Sequence, residues 1–295
     1  MGRMAADARR AALLVTLLAS FLTPFMASSV NIALPSISRE FGADAVRLAW
    51  VATAYLLAAA ALLLPFGRLA DIHGRRRIFF WGTLAYTAAS LACGLAPSLG
   101  ALIGLRALQG AAASMIFATS IALLSSVFPP EERGRVLGIN VAAVYLGLAL
   151  GPSLGGVLTE QLGWRSLFLA NVPLGLAIAL LLARRLRGEW AEARGERFDL
   201  AGTLILGTAL SLLMLGTPEV GRAGGWLLPA GVGGLVAFVA WERRVRHPLL
   251  DIGLFVRNPV FAFSNLAALI NYAATFAVTF LLSLYLQVVK ALGPQ

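Results

Sequence analysis

Charge is scarce in this chain. Only 13% of its 295 residues are charged and 59% are hydrophobic, whereas a soluble domain carries roughly 25% charged and roughly 45–50% apolar residues. That balance excludes an ordinary water-soluble core and makes the bilayer the natural solvent. Cysteine is nearly missing: Cys93 stands alone inside an apolar block, which excludes an intramolecular disulfide and any cysteine-based metal site. Lysine occurs once, at Lys290, and histidine twice, at His73 and His247. Carboxylates are few as well, and all 14 fall in terminal or connecting segments, never within an apolar block.

What charge there is leans positive, to a formal +10 with pI near 11.1. Such a value is compatible with nucleic-acid binding. Here the arginines sit in short loops between apolar blocks, as membrane topology demands, and no other basic patch exists, so nucleic acid is not an expected partner. The opening segment, with Arg9 and Arg10 ahead of an apolar stretch and Ala27-Ser28-Ser29 behind, has the outline of a signal peptide. Its uncharged run from Ala11 to Ser38 is too long for that and reads as a first spanning helix.

Long apolar windows predict nine spans, near 12–34, 48–66, 78–96, 99–127, 136–158, 166–183, 200–217, 224–241 and 259–288. The fold class is therefore all-α integral membrane. If the N-terminus is inside, eighteen arginines fall in inside segments, against Arg39, Arg47, Arg165, Arg222 and Lys290 outside. The positive-inside rule then places the N-terminus in the cytoplasm, and an odd span count places the C-terminus outside. Two connectors stand out. Arg184 to Asp199 is charged and is expected to hold a short surface helix, with Trp190 at the lipid interface. Glu242 to Asn258 contains His247-Pro248, which predicts a helix end near Val245 or Arg246.

Three patterns carry mechanism. Gly67-Arg68-Leu69-Ala70-Asp71-Ile72-His73-Gly74-Arg75-Arg76-Arg77 follows the second span. Gly67 and Gly74 permit a tight turn, Asp71 is placed to cap a helix or pair with arginine, and the arginines suit an anionic leaflet. In the fifth span Gly147, Gly151 and Gly155 share a helix face suited to close packing in lipid, followed by Pro152 and closed by Gly156. In the fourth span Arg106 precedes Gln109 and lies roughly 10 Å deep at about 1.5 Å per residue. A central arginine costs on the order of 2.5–3.5 kcal/mol on insertion scales, so it either faces a polar cavity or serves a structural role on backbone carbonyls. Further polar residues within spans, Asn31, Tyr55, Asn140, Tyr145, Asn271 and Tyr272, are either cavity groups or helix-to-helix contacts.

The Gly67–Arg77 loop resembles the signature between the second and third helices of the major facilitator superfamily. The glycine and Gly-Pro run of the fifth span resembles that family's antiporter motif. Arg106 resembles its fourth-helix arginine, and Asn31-Ile32-Ala33-Leu34-Pro35 is similar to the first-helix end of the 14-helix drug:proton antiporter branch. Gly163-Trp164-Arg165 with Asn171-Val172-Pro173, Phe198-Asp199-Leu200-Ala201-Gly202 and Tyr285-Leu286-Gln287 fit the same branch.

The resemblance implies an N-terminal six-helix bundle over residues 1–186, an inserted helix pair over 187–257, and the first helix of an incomplete C-terminal bundle over 258–295. The family has five more helices beyond the ninth, so the chain reads as truncated. It also implies efflux of small amphipathic drugs by alternating access, powered by the proton gradient with no bound cofactor. By resemblance Gly67, Asp71, Gly74 and Arg75 form a gating loop. Asn31, Arg106, Gln109, Asn140 and Tyr145 line a proton or substrate pathway. Gly147, Gly151, Pro152, Gly155 and Gly156 form the antiporter seam. One departure stands out: members often carry an aspartate where this chain has Met26, which leaves no acid in the first helix. Two other readings compete. A membrane-embedded enzyme lacks the acid cluster or His–Asp pair it would need. A non-transporting fragment follows from one bundle with no partner.

Overall fold

Every regular element among the described residues is a helix; the computed structural model describes residues 2–186, 188–217 and 224–284. The order is α1 (Gly2–Phe41), α2 (Ala45–His73), α3 (Arg75–Gly94), α4 (Leu99–Val127), α5 (Pro130–Leu162), α6 (Arg165–Arg185), α7 (Leu200–Gly216), α8 (Leu227–Glu242), α9 (Gly253–Arg257) and α10 (Pro259–Leu284). The turns between them are written locally. Asp44 caps α2 by accepting from the Arg47 amide at 2.7 Å, Ser98 caps α4 through Ala101, and Asp199 caps α7 through Gly202. Pro130 opens α5, and Gly163 at φ +80° closes it.

Each of the nine apolar windows corresponds to a helix, but five of these are long and apolar enough to cross a membrane: those spanning Ala8–Phe41, Ala45–His73, Leu99–Val127, Pro130–Leu162 and Arg165–Arg185. The others fall short for visible reasons. α3 opens on three arginines. α7 and α8, at 17 and 16 residues, reach only about 24–26 Å, less than the roughly 30 Å of hydrocarbon. α10 has an apolar described stretch of Pro259–Ala274. The break at Pro218 to Arg222, the Tyr285-Leu286-Gln287 motif and Lys290 lie outside the described residues.

Two expectations about the connectors need correction. The segment before α7 holds turns around Glu192–Gly195 and no helix among its described residues. Its acids are engaged on the α2–α3 loop, and Trp190 packs half-buried against the bundle core. After α8, the helix ends at Glu242, ahead of Val245, and a short helix, α9, forms before Asn258.

α1 packs along α5 and also touches α4 and α6, α2 and α3 both pack on α4, α3 packs on α6, and α7 pairs with α8 while leaning on α2. One core layer gathers Val15, Leu22, Tyr55, Phe79, Tyr86, Ile116 and Ile178. A second gathers Met26, Ile37, Val51, Leu102, Trp164 and Phe168. Large apolar side chains such as Leu56, Trp81, Leu108, Leu154 and Leu176 point outward, as expected where lipid replaces water.

Lipid is as apolar as the core, so close approach of backbones does much of the holding. Gly110 of α4 lies against the Tyr55 carbonyl of α2, where any Cβ would collide with backbone. Gly104, one helical turn and a half earlier, faces open space. Gly110→Ala is therefore expected to lose about 1–3 kcal/mol, and Gly104→Ala to be neutral or gain up to about 1 kcal/mol. Thermal unfolding of the two variants in detergent checks this; equal melting temperatures would contradict the close crossing.

Candidate gating loop, buried arginine and glycine seam

The loop between α2 and α3 turns on Gly74, whose φ of +114° suits glycine. Asp71 sits in the last turn of α2 and Arg75 opens α3. Their guanidinium–carboxylate pair spans 2.8–2.9 Å. The same guanidinium donates to Ser126 of α4 at 2.6 Å and to Glu192 of the following connector at 2.8 Å. That connector is laid across the whole loop. The amide of Arg75 donates to the Trp190 carbonyl, and the amide of Ala193 to the Asp71 carbonyl. Glu189 accepts from the amides of Arg76 and Arg77 at 2.9 and 3.2 Å. α3 has no capping side chain of its own, so Glu189 supplies an anion where the helix N-terminus presents unpaired donors.

Glu196 joins a third segment. It accepts from Arg68 of α2 and from His247 Nδ1, 2.8 Å away, in the connector after α8. Partial burial works against its charge, but the His247 hydrogen bond and the Arg68 charge hold its carboxyl below the ordinary range. None of Glu189, Glu192 or Glu196 stands out from the sequence by chemistry alone; the available signal is three acids spaced within eight residues after a basic loop.

Arg106 is 1% exposed. It has no carboxylate partner among the described residues. Neutral groups satisfy it instead. Nε donates to the Val51 carbonyl at 3.0 Å and Nη1 to Gln109 Oε1 at 2.6 Å, while Gln109 Nε2 donates to Ser90 at 2.7 Å. The guanidinium lies 4.3 Å from the centre of the Tyr55 ring, a cation–π contact. The buried hydroxyls of Tyr55 and Tyr86 have no hydrogen-bond partner among the described residues. The structure thus brings Arg106 and Gln109 together with Tyr55, Tyr86 and Ser90.

It does not bring the other expected pathway residues there. Asn31 and Tyr145 lie on exposed faces of α1 and α5, Tyr145 at 44%. Asn140 is buried on α5, its Oδ1 without a partner among the described residues. Met26 is fully buried between α1 and α6, and its sulfur accepts from Asn171 Nδ2 at 2.7 Å.

The glycine run of α5 forms a seam against α1. Gly147 abuts the Phe21 carbonyl, and a Cβ at Gly151 or Gly155 would stand 2.7 Å from Ser28 or Ser29 Cβ. Gly156 and Pro152 lie off the seam, Gly156 near Ile32. Pro152 has no N–H, so the Leu148 carbonyl one turn earlier loses its helical donor. Ser28 Oγ of α1 donates to that carbonyl at 3.0 Å, and Ser29 Oγ donates to the Gly151 carbonyl at 3.0 Å.

Two outcomes follow. Ser28→Ala is expected to cost about 1 kcal/mol or more by leaving the Leu148 carbonyl unpaired. In a Pro152→Ala background, where the α5 amide returns, the same change is expected to cost nothing; additive melting shifts in the double-mutant cycle would contradict the Ser28–Pro152 link. Glu196 has a lowered folded value. Its contribution to holding the connectors is therefore fully present above the ordinary carboxylate value and fades as pH falls through the folded one. Limited proteolysis of the connectors should accelerate over that acid window in the wild type, and Glu196→Gln should be cut rapidly at all pH; a pH-independent wild type would count against the clamp.

The comparisons extend over nearly the whole chain. The chain is 37% identical over 293 residues to the multidrug resistance protein Stp of Mycobacterium tuberculosis, covering 95% of this chain and 54% of that protein. It is 40% identical over 286 residues to the cephamycin export protein CmcT of Amycolatopsis lactamdurans, covering 94% and 58%. It thus spans little more than half the length of these relatives. The solved structure of the proton:xylose symporter XylE superposes with a TM-score of 0.57 at 17% identity, over 79% of this chain and 58% of that one, a likeness of fold. The profile of the Major Facilitator Superfamily matches residues 16–294. The helical bundle, the loop at Asp71 and the α1–α5 seam are thus those of a multi-pass membrane protein, and the chain belongs to the Major Facilitator Superfamily.

Proposed function

We propose that this chain supplies the first bundle of an efflux transporter that exports small amphipathic drugs or metabolites in exchange for protons. The α1–α5 glycine seam carries the proposal, because it is the feature that resembles exporters in particular and it is built as close backbone contact in the fold. Relatives named for multidrug resistance and cephamycin export support the direction of transport. In this reading residues 1–186 form one rocking bundle, 187–257 an inserted helix pair and 258–295 the start of a second bundle. Alternating access moves one bundle against another, so transport requires a C-terminal bundle as partner.

The Asp71–Arg75 pair with Gly67 and Gly74 is the closing element on the cytoplasmic face of a bacterial inner membrane, with the N-terminus on that face. Arg106 and Gln109 anchor the pathway inside the bundle. Asn31 and Tyr145 belong to the α1 and α5 faces turned toward the second bundle, and Asn140 to the buried part of the pathway within the first. The substrate and protons are the ligands, the proton gradient is the energy source, and neither an enzyme activity nor a cofactor is part of the reading. A second reading is favoured by the share of the relatives' length covered: a product of this length alone is a non-transporting fragment.

The complete gene product, produced in a drug-sensitive bacterium, is expected to lower accumulation of an amphipathic dye in a way that a protonophore abolishes. Asp71→Asn and Arg106→Ala are expected to remove at least nine-tenths of that effect (about 1.4 kcal/mol or more,) while reaching the membrane in normal amount. Unchanged accumulation with the protein present in the membrane would sink the export reading. A native gene product matching the 31.1 kDa of these residues would favour the non-transporting one.

A further inference from the structure

The paired helices α7 and α8 meet at one end over two acids, one of them the α7 cap Asp199, that the proposed transport does not employ. Asp199 precedes α7 and Glu242 ends α8. They are 7% and 3% exposed, both buried. A methyl group at Gly202 would stand 2.5 Å from Asp199 Oδ2 and 2.5 Å from Glu242 Oε1. The two oxygens therefore flank one point, across a glycine that makes room for them. Two oxygens each 2.5 Å from that one point are no more than about 5 Å apart.

Their donors can be accounted for one by one. Asp199 Oδ1 accepts from the Gly202 amide at 2.9 Å and Oδ2 from Trp241 Nε1 at 2.9 Å. Glu242 Oε2 accepts from the Leu250 amide at 2.9 Å. Glu242 Oε1 is buried and has no donor among the described residues. Every donor named is neutral. Among the cations nearby, Arg197, Arg246 and His247 line a polar cavity of about 580 Å³ that Asp199 also borders. His247 is bonded to Glu196, as is Arg68. Arg243 and Arg244, next along the chain from Glu242, are exposed. No ion pair joins any of these cations to Asp199 or Glu242 among the described residues.

Two ionised carboxylates side by side, largely buried and with no ion-paired cation among the described residues, repel each other and leave one oxygen without a donor. One proton removes both faults. We infer that Asp199 and Glu242 form a proton-binding site, in which Glu242 Oε1–H donates to Asp199 Oδ2 and the pair carries a single negative charge. The site is a hydrogen-bonded carboxyl pair that titrates as a unit. It ties the N-terminal end of α7 to the C-terminal end of α8, and its proton sets whether the pair closes: loss of the proton as pH rises puts two like charges at the junction. The inference concerns this chain as it stands and does not depend on whether it exports anything.

Infrared difference spectroscopy on the whole purified chain in lipid nanodiscs tests this. At neutral pH the wild type is expected to show the C=O stretch of a protonated, buried carboxyl, sensitive to deuteration, that disappears as the sample is made alkaline. Glu242→Gln is expected to lose the band and to keep its melting temperature constant over the same pH range, because the amide donates to Asp199 in place of the acid. Asp199→Asn is expected to lose the band at neutral pH, because Glu242 is then free of its like-charged neighbour. The sign follows from linkage: the pair's folded affinity for its proton is raised, so wild-type stability is highest at low pH and is lost as pH rises through the folded value. The wild-type titration decides the matter even if a variant fails to fold. Absence of any protonated-carboxyl band in the wild type at neutral pH, or a band that persists undiminished in Glu242→Gln and Asp199→Asn, would overturn the inference.

Discussion

A polar group inside a bilayer finds its partner within the protein or goes without, and the arrangement of these helices follows from that constraint. Hydroxyls at Thr16, Thr23, Thr83, Thr87 and Ser120 all turn back onto carbonyls one turn earlier. Ser28 turns across to another helix, where Pro152 has freed a carbonyl. The seam between α1 and α5 is thus more than a row of small residues. Glycines let the helices touch, and Ser28 opposite them bonds the carbonyl that the proline leaves unpaired. Arg106 answers to the same rule at higher cost. Its charge is met by a carbonyl, an amide and an aromatic face rather than an acid, so α2, α3 and α4 are held around a cation that stays charged and cannot be matched by any simple replacement.

At the helix ends the rule relaxes and charge takes over. The connector after α6 does the work of several caps: Glu189 on the bare start of α3, Glu192 on Arg75, Glu196 between Arg68 and His247. Each exposed ion pair alone is worth little. Joined along one strap they fix the relation of the α2–α3 loop to the helix pair that follows, so a loop that moves has to carry or shed that strap. The Asp71–Arg75 pair is therefore coupled to the inserted helices by contact, not only by position in the chain.

Much of this was legible from residues alone, and the limits have physical causes. Apolar windows located nine of the ten described helices, five of them long enough to span, because length and lack of charge are what the bilayer selects. They located ends less well: α1 continues through Pro35 to Phe41, since a helix persists past the hydrocarbon edge, and α8 stops at Glu242, where the carboxyl finds Leu250 and Asp199. The glycine periodicity in α5 located the seam, but nothing in α5 names Ser28 as its complement. Arg106 announced itself through cost, whereas its partners Val51 and Ser90 are a backbone carbonyl and an ordinary small residue. The connector looked like a surface helix because its charges suit one; the acids are spent on another loop instead, a choice visible only when the chain is folded.

The placement of acids leads one step further. With Met26 packed against Asn171, the middle of α1 holds no carboxyl; its acids, Asp7 and Glu40, lie near its two ends. Every described acid lies near a helix end or in a connector. A protonatable site in the middle of this bundle would need a carboxyl beside Arg106, and none lies there among the described residues. The buried acids that do occur, Asp199 and Glu242, sit at the root of the helix pair, where desolvation is partial and a proton has a short path to water. Proton exchange in this part of the molecule is thereby separated from the bundle interior, and a change of protonation acts first on how α7 and α8 stand against each other. From there it reaches α2, on which α7 leans, and through Arg68 and Glu196 the loop that holds Asp71.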